Sequence, residues 1–87
     1  MRVLIIEDEE KTADYLHRGL TEQGYTTDVA REGIEGLHMA LESEYAVIIL
    51  DVMLPGLDGY GVLRALRARK QTPVIMLTAR ENVDDRI

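Results

Sequence analysis

Four short apolar runs divide the chain, and polar segments with helical spacing separate them. The runs predict strands over Arg2–Ile6, Thr26–Ala30, Ala46–Leu50 and Pro73–Leu77, and β-branched residues are frequent in them. The third run, Ala46-Val47-Ile48-Ile49-Leu50, contains no polar residue. That predicts a strand covered on both faces, as in a parallel sheet with helices on either side. Between the strands, Ala13, Leu16 and Leu20 set a helix over Glu10–Gln23, stopped by Gly24. Leu37, Ala40 and Leu41 set a second helix over Gly33–Ser43. Asp58 is a cap for a third over Gly59–Arg69, buried through Val62, Leu63 and Leu66. A last helical pattern starts at Glu81 and runs to Ile87.

This βαβαβαβ alternation predicts an α/β fold with a doubly wound parallel sheet. Right-handed crossovers leave only a few strand orders open. There are no repeats, low-complexity tracts or linkers, and 87 residues hold one domain. A four-stranded sheet would leave the last strand as an exposed, hydrophobic edge. Residues 1–87 therefore read as one domain, incomplete at its C-terminus, within something longer.

The strand ends carry the chemistry. Val3-Leu4-Ile5-Ile6 runs straight into Glu7-Asp8-Glu9-Glu10, and the third run ends on Asp51, followed by Val52-Met53-Leu54-Pro55-Gly56. In open α/β sheets, ligands bind beyond the carboxyl ends of the strands. Glu7, Asp8 and Asp51 are thus expected to share one crevice. Each has an ordinary alternative: acids at a helix start favour the helix dipole, and a lone Asp after a strand is commonly a turn former. Thr78, after the fourth strand, could cap the next helix. These separate explanations miss the coincidence that three of four strands end in a functional type of side chain on one edge. Carboxylates that close repel unless a cation joins them, and hard oxygen ligands favour Mg²⁺. With the charge offset, a carboxylate can attack phosphorus and form an acyl phosphate. Asp51 is the candidate nucleophile, Glu7 and Asp8 the candidate metal holders, and Thr78 a candidate donor to a phosphoryl oxygen.

Composition narrows the class further. Sixteen acidic residues against ten basic ones give a formal charge of -6, so no broad surface attracts nucleic acid. The densest basic stretch, Arg64 to Lys70, reads as a solvated helix face. The absence of Cys excludes thiol catalysis, disulfides and Cys-ligated zinc. No segment approaches the ~20 apolar residues of a membrane span, and the N-terminus has no signal-peptide pattern. A soluble, cytoplasmic protein without a membrane partner is expected.

With these motifs in place, the chain resembles the receiver domain of bacterial two-component response regulators. The matching residues are Glu7-Asp8 after strand 1, Asp51 with Met53-Leu54-Pro55-Gly56 and Asp58-Gly59 after strand 3, and Thr78-Ala79 after strand 4. The resemblance implies a flavodoxin-like (CheY-like) fold with strand order 2-1-3-4 here, strand 5 and the last helix being absent. It implies that Asp51 accepts a phosphoryl group from a sensor histidine kinase, with Mg²⁺ held by Asp8, Asp51 and the backbone carbonyl of Met53. Glu7 would act mostly through a metal-bound water. Thr78 would be the switch hydroxyl, and the Ala79 backbone N–H would meet the phosphoryl group. Homodimerisation on phosphorylation is implied as well. Thr78-Ala79-Arg80 and Asp84-Asp85-Arg86 are similar to the OmpR/PhoB-like subfamily, whose receivers precede a winged-helix DNA-binding domain. Glu9-Glu10-Lys11-Thr12, Tyr15-Leu16 and Gly19-Leu20-Thr21-Glu22 are similar to heavy-metal-responsive members. DNA binding would belong to the absent effector domain, and the chain itself would not be an enzyme.

The family also has a fifth strand carrying a Lys that pairs with the phosphoryl group. The only lysines here, Lys11 and Lys70, lie at no strand end, so residues 1–87 alone are expected to bind Mg²⁺ at best and to phosphorylate poorly or not at all. Three rivals stand beside this reading. A phosphatase-like hydrolase of the haloacid-dehalogenase type needs a second Asp two residues after the nucleophile, where this chain has Met53. A flavin or nucleotide carrier needs a phosphate-cradling loop after strand 1, where Glu7 to Glu10 would repel phosphate. A non-phosphorylating pseudo-receiver would use the fold only for protein contacts.

Overall fold

The computed structural model describes residues 1–77. Expectations for Thr78, Ala79 and the helical pattern at 81–87 lie outside the described residues. The elements follow in order: β1 (Arg2–Ile6), α1 (Glu10–Glu22), β2 (Thr26–Ala30), α2 (Gly33–Glu42), β3 (Val47–Asp51), α3 (Gly59–Arg67) and β4 (Val74–Leu77). The strands form one parallel sheet in the order β2-β1-β3-β4. This is the flavodoxin-like order expected from the sequence. The chain steps outward from β1 to β2, then crosses back to β3 on the other side of β1. Winding therefore reverses between β1 and β3, which opens a crevice at their carboxyl ends.

The core is unequal on the two faces. Leu4, Ile6, Ile48 and Leu50 alternate onto the face covered by α2 and α3, where they join Ala40, Tyr45, Leu54, Val62 and Leu66. Val3, Ile5 and Ala13 are buried as well but stand outside that cluster, consistent with α1 packing on the opposite face of β1. The apolar run of β3 predicted cover on both faces. In fact Ile48 and Leu50 are buried while Val47 and Ile49 are half-buried. Among the described residues α1 packs on β1 and β2, which leaves the second face of β3 partly open. β4 is the edge strand among the described residues, and Ile75 on it is 55% exposed.

Element limits shift by one or two residues from the sequence pattern. α1 ends at Glu22, α2 at Glu42 and α3 at Arg67, because Gln23, Ser43 and Ala68 are caps whose N–H groups satisfy the last carbonyls. Gly24 takes the left-handed φ of 95° that turns the chain away from α1. β3 begins at Val47 and includes Asp51, which pairs with Leu77; Ala46 N–H instead donates to Arg2 O at 2.8 Å. β4 begins at Val74, since Pro73 contributes only its carbonyl, accepting from Ile48 N–H. The cap at Asp58 is as expected: its carboxylate accepts from Gly61 N–H at 2.9 Å. The basic stretch is not wholly a solvated face. The Lys70 N–H still bonds to Leu66 O of α3, and its Nζ donates to Ala40 O and Ser43 O, both at 3.0 Å, tying the end of α3 to the end of α2.

Candidate functional site

The first wall of the crevice is the end of β1. Glu7 N–H donates to Ala30 O at 3.0 Å, extending the strand pairing by one residue beyond Ile6. That contact turns the Glu7 side chain inward, and the residue is only 2% exposed. Glu9 N–H then donates to Glu7 Oε2 at 3.0 Å as the chain turns into α1. Asp8, between them, is exposed at the rim, and its carbonyl accepts from Arg31 Nη2 at 2.9 Å.

The second wall is the end of β3. Asp51 is half-buried and still within the ladder, opposite Leu77. Its Oδ1 accepts from Met53 N–H at 3.2 Å, which fixes the carboxylate against the turn that follows. Val52 is held from both sides, its N–H donating to Leu77 O at 3.1 Å and its carbonyl accepting from Gly59 N–H at 2.9 Å. Gly59 opens α3 directly on this backbone: a Cβ there would lie 2.3 Å from Asp51 O. Only glycine permits so close an approach. Gly33, the first residue of α2, is wedged likewise, with a Cβ position 1.9 Å from Leu57 O. The loop after Asp51 is thus fixed by contacts that need the absence of a side chain.

Carboxylate oxygens of Glu7, Asp8 and Asp51 all lie within 4.8 Å of one another. Burial pushes the Glu7 carboxyl up to about 7, with Asp51 and Asp8 adding to the rise and the Glu9 N–H opposing it. Among the described residues no Lys or Arg forms an ion pair with any of the three. The donor set is all hard oxygen. Around Mg²⁺ at ~2.1 Å, oxygens stand about 3 Å apart at right angles and about 4.2 Å apart across the ion. The cluster needs little contraction to meet that, so these residues fit the ion.

Three of the residues expected from sequence therefore come together: Glu7, Asp8 and Asp51. Met53 contributes its amide to Asp51, and its side chain is 61% exposed. Thr78 and Ala79 lie outside the described residues. Sequence reasoning missed Arg31, Gly33 and the close backbone contact of Gly59, a residue it had singled out only as part of the motif after strand 3. The signal for Arg31 was a cation directly after a strand, Ala30-Arg31, on the edge where the acids gather.

Comparison with known proteins agrees with this geometry. The model of the response regulator receiver domain matches residues 3–87. The transcriptional regulatory protein HprR of Escherichia coli is 53% identical over 87 residues, covering all of this chain and 39% of HprR. The transcriptional activator protein IrlR of Burkholderia pseudomallei is 56% identical over 87 residues, covering all of this chain and 38% of IrlR. The chain thus spans well under half the length of these curated relatives. Among solved structures, the Francisella response regulator 1452 receiver domain superposes with a TM-score of 0.85 at 36% identity, over 97% of this chain and 73% of that one. The response regulator TrrA of Thermotoga maritima, in complex with Mg²⁺ and BeF, gives 0.84 at 35% identity, over 90% and 69%. TrrA bound to the histidine kinase ThkA gives 0.81 at 35%, over 90% and 68%.

Proposed function

Since the chain belongs to the response regulator receiver domain family of two-component systems, we propose that Asp51 is its phosphoryl acceptor and a histidine kinase its donor. The observation that carries this is the crevice itself: three carboxylates within 4.8 Å, with one, Asp51, held at the end of a central strand. The Asp51 carboxylate attacks phosphorus, an O–P bond forms, and the bond to the donor atom breaks. Asp51 is suited to this because the Met53 N–H engages Oδ1 and the strand ladder fixes its backbone. Glu7, Asp8, Asp51 and the Met53 carbonyl are the residues that would hold Mg²⁺. When bound, the ion offsets their repulsion and the charge of the transferred group. TrrA, 35% identical, is a relative seen both with Mg²⁺–BeF and with a histidine kinase, which supports the same cofactor and partner here.

Thr78 and the Ala79 N–H are assigned to the phosphoryl oxygens through the family motif alone. Phosphorylation adds nearly two negative charges and three acceptor oxygens, and Thr78 turning toward them reorganises the segment from Glu81. In the whole protein, that change promotes homodimerisation and directs an OmpR/PhoB-like DNA-binding domain. The names of HprR and IrlR, both transcriptional regulators, support this role over an enzymatic one. Among the described residues no helix is long and apolar enough to cross a membrane.

The test is incubation with Mg²⁺ and a small-molecule phosphodonor, followed by intact mass. One phosphoryl adduct is expected of the whole protein, and Asp51→Asn should lose it completely. Steady release of inorganic phosphate at enzyme rates, with no adduct, would point to a hydrolase. No adduct at all, with an intact kinase–donor control, would favour a pseudo-receiver.

A further inference from the structure

We propose that Arg31 is a positioning residue of the acidic site, acting through the single peptide group between Asp8 and Glu9. The inference rests on the site being the cation and phosphoryl site described above. Two hydrogen bonds seize that peptide group at opposite ends. Its carbonyl, Asp8 O, accepts from Arg31 Nη2 at 2.9 Å. Its amide, Glu9 N–H, donates to Glu7 Oε2 at 3.0 Å. A guanidinium on the carbonyl draws electron density through the amide and strengthens the N–H as a donor, so the two bonds reinforce each other. The peptide plane in turn determines two things at once. It aims the Glu7 carboxylate, and it sets the backbone from which the Asp8 side chain leaves.

Arg31 stands well placed for this duty and contributes no atom to the cluster. It follows β2 directly, 23 residues from the carbonyl it holds. Its own amide donates to Glu35 Oε1 at 3.3 Å, and Glu7 N–H is bonded to the adjacent Ala30 carbonyl at 3.0 Å. Two residues on, Gly33 is wedged against Leu57 O in the loop after Asp51. The β2–α2 connection therefore touches both loops that carry the acids. Its guanidinium is the one strong donor among these contacts, and it makes no ion pair with Glu7, Asp8 or Asp51 among the described residues. The arginine orders the acids while leaving their charge unbalanced.

The experiment titrates Mg²⁺ into the full chain by calorimetry and follows the Glu9 amide by NMR. Arg31→Ala should raise the Mg²⁺ dissociation constant about three- to tenfold and move the Glu9 amide proton upfield as its bond weakens. Arg31→Lys, which keeps a donor and the charge, should restore much of both. Arg64→Ala, which removes an equal charge from the last turn of α3, should change neither. Matching near-native thermal unfolding of the variants separates loss of positioning from loss of fold. Normal Mg²⁺ affinity in Arg31→Ala, or an equal loss in Arg64→Ala, would overturn the proposal while leaving the phosphoacceptor reading intact. Absence of Mg²⁺ uptake by the unsubstituted chain would overturn both.

Discussion

The two ends of the sheet treat charge in opposite ways. At the amino end, Asp28 on β2 lies 3.3 Å from Arg2 Nη2 on β1 and accepts from the Tyr45 hydroxyl at 2.8 Å. Arg2 also sits over the Tyr45 ring, 5.9 Å from its centroid. Nearby, Lys70 satisfies two carbonyls at the end of α2 and lies 3.4 Å from Glu44. Each of these charges has a partner from the chain itself. At the carboxyl end, Glu7, Asp8 and Asp51 share a crevice, and Arg31 answers a backbone carbonyl there, not a carboxylate. The same residue types are thus assembled once as a closed structural clasp and once as a standing demand for positive charge. The contrast separates architecture from chemistry without reference to any relative.

Perturbing the close backbone contact at the carboxyl end should have the largest effect. Gly59→Ala forces a methyl group against Asp51 O, at a Cβ position only 2.3 Å away, between two backbones that cannot yield cheaply. A loss of about 2–4 kcal/mol in urea unfolding is expected, together with weaker Mg²⁺ binding, because β3 must shift. An unchanged urea midpoint would show that the site tolerates slack.

Next in size is the cost of the unbalanced acids. Glu7 is held near 7 in the fold against 4.5 outside it, so the folded chain binds this proton more tightly. Stability therefore falls as pH rises through the window from 4.5 to about 7 and levels off above it. Glu7→Gln imitates the protonated form and should stabilise the chain by about 1–3 kcal/mol at pH 8, the two proteins converging near pH 4.5. Thermal unfolding across pH checks this. Addition of Mg²⁺ should stabilise the unsubstituted chain more at pH 8 than at pH 5.

The smallest effect is expected at the amino end. Asp28→Asn keeps an acceptor for Tyr45 but removes the charge that pairs with Arg2, and about 1 kcal/mol should be lost. Mg²⁺ affinity and phosphoryl uptake should not move. If they did, the two ends would be coupled through the sheet, and the comparison would fail.

Much of this was legible along the chain, for identifiable reasons. β1 and β2 end where expected because a polar residue directly follows each run of buried or β-branched side chains. The acid cluster was legible because a parallel sheet places successive strand ends on one edge, and side-chain type marks what stands there. Helix ends were less so: Gln23, Ser43 and Ala68 continue the pattern of polarity yet serve as caps, and periodicity does not report where the last carbonyls are satisfied. The half-open face of β3 was hidden because an apolar run records what a strand can bury, not how far a helix reaches over it. Arg31 was hidden for a different reason. Its partner is a main-chain carbonyl 23 residues away, and a carbonyl has no identity in sequence. Gly33 and Gly59 looked like ordinary helix starts, since a glycine chosen for another segment's backbone cannot be told from one chosen for a turn.

The seating of α3 on the last residues of β3 has a mechanical consequence. Packed interiors switch between discrete arrangements more readily than they deform. With Val52 gripped by hydrogen bonds from two elements and Gly59 lying against Asp51 without intervening atoms, this strand tip behaves as an anvil. A group attached to the Asp51 carboxylate would not be accommodated by recoil of the strand beneath it, so the displacement would pass outward, toward the exposed residues Met53, Pro55 and Gly56 of the following turn.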